Sequence, residues 1–283
     1  MSHVGFRAAD PVERRAQSLT ERQRTAPSVS GTVAPIAGGT IEVVPVRLDA
    51  ELAAVGELAR CLSDGERIRA SRFIFERDRH RFIVGRARLR HLLASRLGVQ
   101  PHAVELDYGP RGKPRLARCF GDAGLCFNVS HSENLAVYAF SSGREVGVDV
   151  EVIRELRDAD GIAARFFSRR EYAAYLALDL RDRPLGFLNC WTRKEAFIKG
   201  LGDGLYFPLD RFDVSLEPGK PARILRVADV AGSACGWTLH DLDLEPGFVG
   251  AVVVGDQVTL RARHPHDRAT VSANRSALDG PRL

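Results

Sequence analysis

No Cys-x-x-C pair occurs in this 283-residue chain, and its five cysteines (Cys61, Cys119, Cys126, Cys190 and Cys235) are an odd number. With no signal peptide in view, that points to reduced thiols in a cytoplasm rather than a disulfide framework. No apolar run is long enough to span a bilayer. The strongest, Phe248-Val249-Gly250-Ala251-Val252-Val253-Val254, falls far short of the ~20 residues required and reads as a buried strand. No Gly-x-Ser-x-Gly elbow is present, which removes the usual support for a serine hydrolase. A large excess of one charge sign is also missing: the net charge is +5 and the pI about 9.1. That imbalance is too small to argue for nucleic acid, and no basic-aromatic pattern supports it. It suits an anionic ligand drawn in by electrostatic steering. The 45% hydrophobic content is that of an ordinary globular protein, and the length allows one large domain or two small ones.

What is present is concentrated chemistry. In Trp191-Thr192-Arg193-Lys194-Glu195-Ala196-Phe197-Ile198-Lys199, followed by Gly200-Leu201-Gly202-Asp203-Gly204-Leu205, Glu195 and Lys199 stand four apart and share one helix face. Alone they would be a surface ion pair worth about 0.2–0.5 kcal/mol. Upstream, Val146, Val148 and Val150 alternate with Gly147, Asp149 and Glu151, so a strand here has an apolar face and an acidic one. Acidic residues are poor strand formers, and two of them one pleat apart repel unless a cation lies between. Gly147, lacking a side chain on that face, leaves room for a ligand. Three carboxylates and a lysine are a set that holds a divalent metal against a phosphate.

Two further segments extend the set. Cys126-Phe127-Asn128-Val129-Ser130-His131-Ser132 runs from an apolar strand into polar residues. Adjacent residues of a strand face opposite ways, so His131 is badly placed to deprotonate Ser130; anion binding by hydroxyl and imidazole suits the pair better. Arg111-Gly112-Lys113-Pro114 combines close backbone approach with positive charge.

Taken in order, Gly112-Lys113-Pro114, Asn128-x-Ser130-His131, Gly147-x-Asp149-x-Glu151 and Trp191-x-x-Lys194-Glu195-Ala196-x-x-Lys199-x-x-Gly202-x-Gly204-Leu205 resemble the Sfp-type 4′-phosphopantetheinyl transferases over residues 40 to 260. The resemblance implies transfer of the phosphopantetheine arm of coenzyme A to a serine of an apo acyl or peptidyl carrier protein, with release of adenosine 3′,5′-bisphosphate. It implies Mg²⁺ held by Asp149, Glu151 and Glu195, with Lys199 neutralising the pyrophosphate. Glu195, or a metal-bound water that it orients, is the general base. His131 is expected at the 3′-phosphate with Ser130 beside it, Arg69 also at the 3′-phosphate, and Lys113 at the adenine nucleotide end. Lys194 reads either as a phosphate contact or as a solvated helix lysine. Arg86 and Arg90, four apart, either brace the fold or lie in solvent. The mild basic excess fits an anionic co-substrate and acidic carrier proteins. A non-catalytic module binding coenzyme A or carriers, and a phosphodiesterase using water, are the competing readings.

The expected fold is α/β (α+β) and pseudo-twofold: two similar halves, 39–145 and 146–262, with the site in the cleft between them. A helical pattern from Arg72-Phe73 to Leu97-Gly98 carries a stripe of Phe82, Leu89, Leu93 and Leu97; a second runs from Arg165 to Leu201-Gly202. Strand-like segments follow each, Ala103 to Tyr108 and Arg211 to Leu216. Residues 1–38 read as a flexible extension and 263–283 as a disordered tail. Asp10, Glu13 and Glu21 weaken a transit-peptide reading. Phe166, Phe167, Tyr172, Tyr175 and Leu176 fall where the family presents its carrier-binding surface, but most of them are expected to fill the core. A duplicated chain supplies its own interface, so a monomer is expected, with neither nucleic acid nor membrane as partner.

Overall fold

The computed structural model describes residues 32–36, 39–109, 112–202, 207–227 and 236–255. Two runs of elements repeat one order. The first comprises strands β1 (Thr32–Ile36) and β2 (Gly39–Arg47), helices α1 (Leu52–Ala59), α2 (Asp64–Ser71) and α3 (Glu76–Leu97), short strands β3 (Leu106–Tyr108) and β4 (Pro114–Leu116), and the hairpin of β5 (Leu125–Ser132) and β6 (Leu135–Ser142). The second comprises β7 (Val146–Val152), α4 (Ala159–Phe166), α5 (Arg169–Leu176), α6 (Arg183–Leu201), short strands β8 (Phe212–Val214) and β9 (Ile224–Val227), and the hairpin of β10 (Trp237–Asp241) and β11 (Phe248–Gly255). The sheets run β1-β2-β6-β5 and β10-β11-β7. In each, the leading long strand pairs antiparallel with the closing one, β2 with β6 and β7 with β11. This is the duplicated α/β fold expected. Among the described residues no helix is long and apolar enough to cross a membrane.

The alternation of side chains along β2 and β7 builds three cores. One face of each strand, Ile41 and Val43 from β2 and Val146, Val148 and Val150 from β7, meets Val137, Ala139, Val252 and Val254 in a core shared by both halves. The opposite faces turn toward the long helices. In the first half Val44, Val46, Tyr138 and Phe140 pack against Val84, Leu89 and Leu93 of α3. In the second, Ala251 and Val253 pack with Phe197, Ile198 and Trp237.

The helix boundaries follow local chemistry. Ser63 and Ser168 each close a capping box, with Glu66 and Glu171, at the starts of α2 and α5. Both long helices stop at a glycine in the left-handed region, Gly98 and Gly202. The cap at Ser168 separates α4 from α5, and residues 177–182 separate α5 from α6, so the pattern expected over 165–202 becomes three helices. The first pattern starts at Glu76 rather than Arg72, since Phe75 is extended and Glu76 and Asp78 suit a first turn. Within the segment expected to be flexible, Thr32–Ile36 pairs with β2. An edge strand needs only backbone partners, and it tolerates Pro35. Residues 1–31, the tail 263–283 and the 203–206 exit of the long motif lie outside the described residues.

Candidate active site between the halves

The site begins with a close approach of α6 to β7. A Cβ on Gly147 would fall onto the carbonyl of Ala196 and the backbone nitrogen of Gly200, and one on Gly200 would lie 2.9 Å from Trp237 and Val253. Gly147 therefore makes room for the helix backbone and not for a ligand, which corrects the sequence reading. The sequence places the glycine on the acidic face; only packing reveals that this face looks at α6.

That approach sets the helix face of Glu195 and Lys199 over Asp149. Lys199 Nζ donates to Asp149 Oδ1 at 2.5 Å and to Ser130 Oγ at 3.0 Å. Ser130 Oγ in turn donates to the same Asp149 oxygen at 2.7 Å, and Ser132 Oγ donates to Glu151 Oε2 at 2.7 Å. Asp149 is only 4% exposed, and its Oδ2 is buried with no hydrogen-bond partner, as is Glu195 Oε1. Burial, then the charge of Asp149, pushes Glu195 up to about 7, with Lys199 opposing and Glu151 adding to the shift. Burial likewise raises Glu151 against the hydrogen bond from Ser132. The carboxylates thus crowd one another around a single ammonium. Among the described residues, no three His, Cys, Asp or Glu side chains are already gathered as a metal cage.

On the other face of β5 lies a cavity of about 650 Å³ lined by Arg69, Phe82, Arg86, Gly112, Val129, His131 and Tyr138, among others. Strand alternation sends Ser130 toward β7 and His131 into this cavity. By area the His131 ring is exposed, yet crowding by the walls, then the charge of Lys199, holds its imidazole below the ordinary range; Arg69 adds to this and Asp149 opposes it. His131 and Arg69 line the same cavity. Arg69 is exposed and lies over the Phe82 ring at 5.4 Å. Arg86 also faces Phe82, at 5.8 Å, and is 3.6 Å from Glu66.

Three residues depart from expectation. Ser130 touches the carboxylate cluster rather than the basic groove. Lys113 donates to Lys199 O at 2.7 Å and to Glu145 at 3.3 Å, so its ammonium caps the last turn of α6 instead of facing the cavity; burial lowers its pKa. Lys194 is neither a phosphate contact nor solvated. It is 0% exposed and holds Glu171 at 2.8 Å and the carbonyls of Leu209 and Phe212, both at 2.6 Å. Arg90 braces the first half in the same way, bonding Glu66 at 2.6 Å and the carbonyls of Pro101 and Val104. Phe167 and Tyr175 are buried, Phe166 and Tyr172 pack against the same core, and Leu176 alone of that group is exposed. Ser132 was missed by sequence reading; its signal was the period-two series Asn128, Ser130, Ser132.

Comparison with known proteins places these features. Residues 145–252 match the family model of the 4′-phosphopantetheinyl transferase superfamily, and residues 50–143 match that of the 4′-phosphopantetheinyl transferase N-terminal region. The chain is 39% identical over 209 residues to the 4′-phosphopantetheinyl transferase HetI of Nostoc sp., covering 74% of this chain and 85% of that protein. It is 30% identical over 192 residues to the 4′-phosphopantetheinyl transferase Sfp of Bacillus subtilis, covering 68% and 81%. It is 31% identical over 221 residues to the L-aminoadipate-semialdehyde dehydrogenase-phosphopantetheinyl transferase of Xenopus laevis, covering 73% and 72%.

Proposed function

The chain belongs to the 4′-phosphopantetheinyl transferase superfamily, and from that premise we propose that it transfers the phosphopantetheine arm of coenzyme A to a serine of an apo acyl or peptidyl carrier protein. The observation that carries this reading is the meeting of Lys199, Asp149 and Ser130, three residues far apart in sequence, beneath the helix face that bears Glu195. The carrier's serine oxygen forms a bond to the β-phosphorus of coenzyme A as the bond to adenosine 3′,5′-bisphosphate breaks. The serine proton passes to Glu195, the carboxylate that stands on the helix face above the Lys199–Asp149 pair and serves as general base. Lys199 supplies a point charge for the pyrophosphate oxygens. Arg69 and His131, across the groove, suit the 3′-phosphate end.

The donor set fits Mg²⁺. Asp149 Oδ2 and Glu195 Oε1 are buried carboxylate oxygens without partners, and a hard cation that takes one or two carboxylates plus phosphate and water would satisfy them without a complete protein cage. Asp149, Glu151 and Glu195 would hold it, and when bound it would draw off the negative charge that builds on the phosphates. The free thiols of Cys61, Cys119, Cys126 and Cys190 support a cytoplasmic setting, and a cleft built within one chain supports a monomer.

The test is the intact mass of an apo carrier protein after incubation with this protein, coenzyme A and Mg²⁺, alongside a sample with EDTA. A gain of one phosphopantetheine, abolished by EDTA, is the expected outcome. No gain across fatty acid, polyketide and peptide carriers, with coenzyme A still bound tightly, would replace the transferase reading by a binding module.

A further inference from the structure

Strands β5 and β7 are edges of different sheets, yet they are joined along their length. Val148 N donates to Asn128 Oδ1 at 2.9 Å, Val150 N to Ser130 Oγ at 3.4 Å and Val152 N to Ser132 Oγ at 3.1 Å. The other amides of β7, from Gly147, Asp149 and Glu151, belong to residues that pair with β11. Every second amide would otherwise be a donor without a partner in a buried interface, which is costly. Side chains of one strand thus stand in for the missing backbone partners of the other, with the same two-residue period on both.

Two of the three rungs do more. Ser130 and Ser132 accept from the valine amides and also donate to the carboxylates of the preceding residues, Asp149 and Glu151. A hydroxyl has one proton to give and two lone pairs, and Ser130 uses all three, since Lys199 is its other donor. Because Ser130 and Lys199 both take Asp149 Oδ1, Oδ2 is left as the buried oxygen without a partner. Ser132 in the same way engages only Oε2 of Glu151. Asn128 holds an amide but has no carboxylate opposite it, because the residue preceding Val148 is Gly147.

We propose that Ser132 and Ser130 are positioning residues for the metal site: each hydroxyl, fixed to the backbone of β7, ties down one oxygen of Glu151 or Asp149 and turns the other toward the cation. This rests on the metal reading given above. Hydrogen bonds that orient ligand carboxylates typically change metal affinity 10–100-fold when removed. The first half of the chain, through β5, thereby sets the ligand geometry of the second.

The experiment uses Mn²⁺ as an EPR-visible stand-in for Mg²⁺, titrated into the full chain with coenzyme A and no carrier protein, so that no turnover occurs. Ser132→Ala is expected to weaken Mn²⁺ binding about tenfold or more, and Ser132→Thr, which keeps the hydroxyl, to restore it. Asn128→Ala is expected to lower the thermal midpoint while leaving Mn²⁺ affinity near that of the parent protein. Should Ser132→Ala fail to fold, Ser132→Cys carries the same test, because a thiol is a weak donor. Equal Mn²⁺ affinity in the parent and Ser132→Ala proteins overturns the proposal, as does an Asn128→Ala loss equal to that of Ser132→Ala, which would make all three rungs structural only. Absence of Mn²⁺ binding by the parent protein overturns the metal reading itself, and is distinguished from the former outcomes because it precedes any substitution.

Discussion

The two halves of the chain use one scaffold for opposite purposes. Strand register and helix ends bring Val44 and Val46 of β2 into the positions that Asp149 and Glu151 hold in β7. In the first half these positions are apolar and buried beneath α3. In the second they are carboxylates beneath α6. The spacing between strand and helix is filled differently as well. Glu42 and Arg96 span it with an ion pair at 2.5 Å, and Arg96 covers the Phe140 ring at 3.9 Å; at the matching places stand Gly147 and Gly200, whose missing side chains let α6 touch β7. The half that keeps an ordinary core keeps long side chains between its layers. The half that gathers charge removes them, which brings the helix cation onto the strand carboxylates. Both retain the same strut, a buried cation on the long helix joined to a capping-box glutamate, Arg90 with Glu66 and Lys194 with Glu171.

Substitutions made in matched pairs can break or sharpen that contrast. The largest difference is expected between Glu195→Gln and His91→Gln, the residue at the matching position of α3. The first should slow carrier modification by ~10²–10⁴-fold with coenzyme A still bound, and the second should leave the rate near that of the parent. Equal rates for all three proteins in the mass assay would remove Glu195 from the chemistry.

The struts should differ in degree. Lys194→Met strands the buried Glu171 and is expected to lower unfolding stability by about 3–5 kcal/mol, read by urea titration; Arg90→Met leaves Arg86 3.6 Å from Glu66 and should cost less. The KM for coenzyme A in the remaining folded Lys194→Met protein should not change; a large rise would restore the phosphate-contact reading of Lys194.

Gly147→Ala forces a methyl group into the backbone of α6 and should destabilise by about 3 kcal/mol or more. Its counterpart Glu42→Ala removes one half-exposed ion pair and should cause a loss under about 1 kcal/mol. Comparable thermal midpoints for the two variants would show that α6 can withdraw from β7 freely.

The smallest effect concerns pH. Glu195 titrates at about 7 in the folded chain against an ordinary value of 4.5, so the folded state binds its proton more tightly than the unfolded state does. The stability this contributes is fully present below about pH 4.5 and is lost as pH rises through about 7. In metal-free protein, the melting point of the parent relative to Glu195→Gln should therefore be higher at pH 5 than at pH 8. A parent-to-variant difference that is flat with pH would remove the raised pKa from the account.

Much of this was legible in the residues. The valine alternation of 146–150 assigns both faces of β7, and the Glu195–Lys199 spacing assigns one face of α6, because helix and strand periods are local properties of the backbone. The order of the motifs named the family, and the strand read at Phe248–Val254, which runs to Gly255, and the mostly core role of the 166–176 aromatics were read correctly. What periodicity does not contain is which face meets which. Gly147 as a helix seat, Lys194 as a strut, Lys113 as a cap on the last turn of α6 and Ser132 as a partner of Glu151 all depend on contacts between segments far apart in the chain. A side chain's type and face are set where it stands in the sequence. Its partner is set by how two sheets and two long helices pack, and here that packing alone decided which lysines and serines serve the site and which hold the frame.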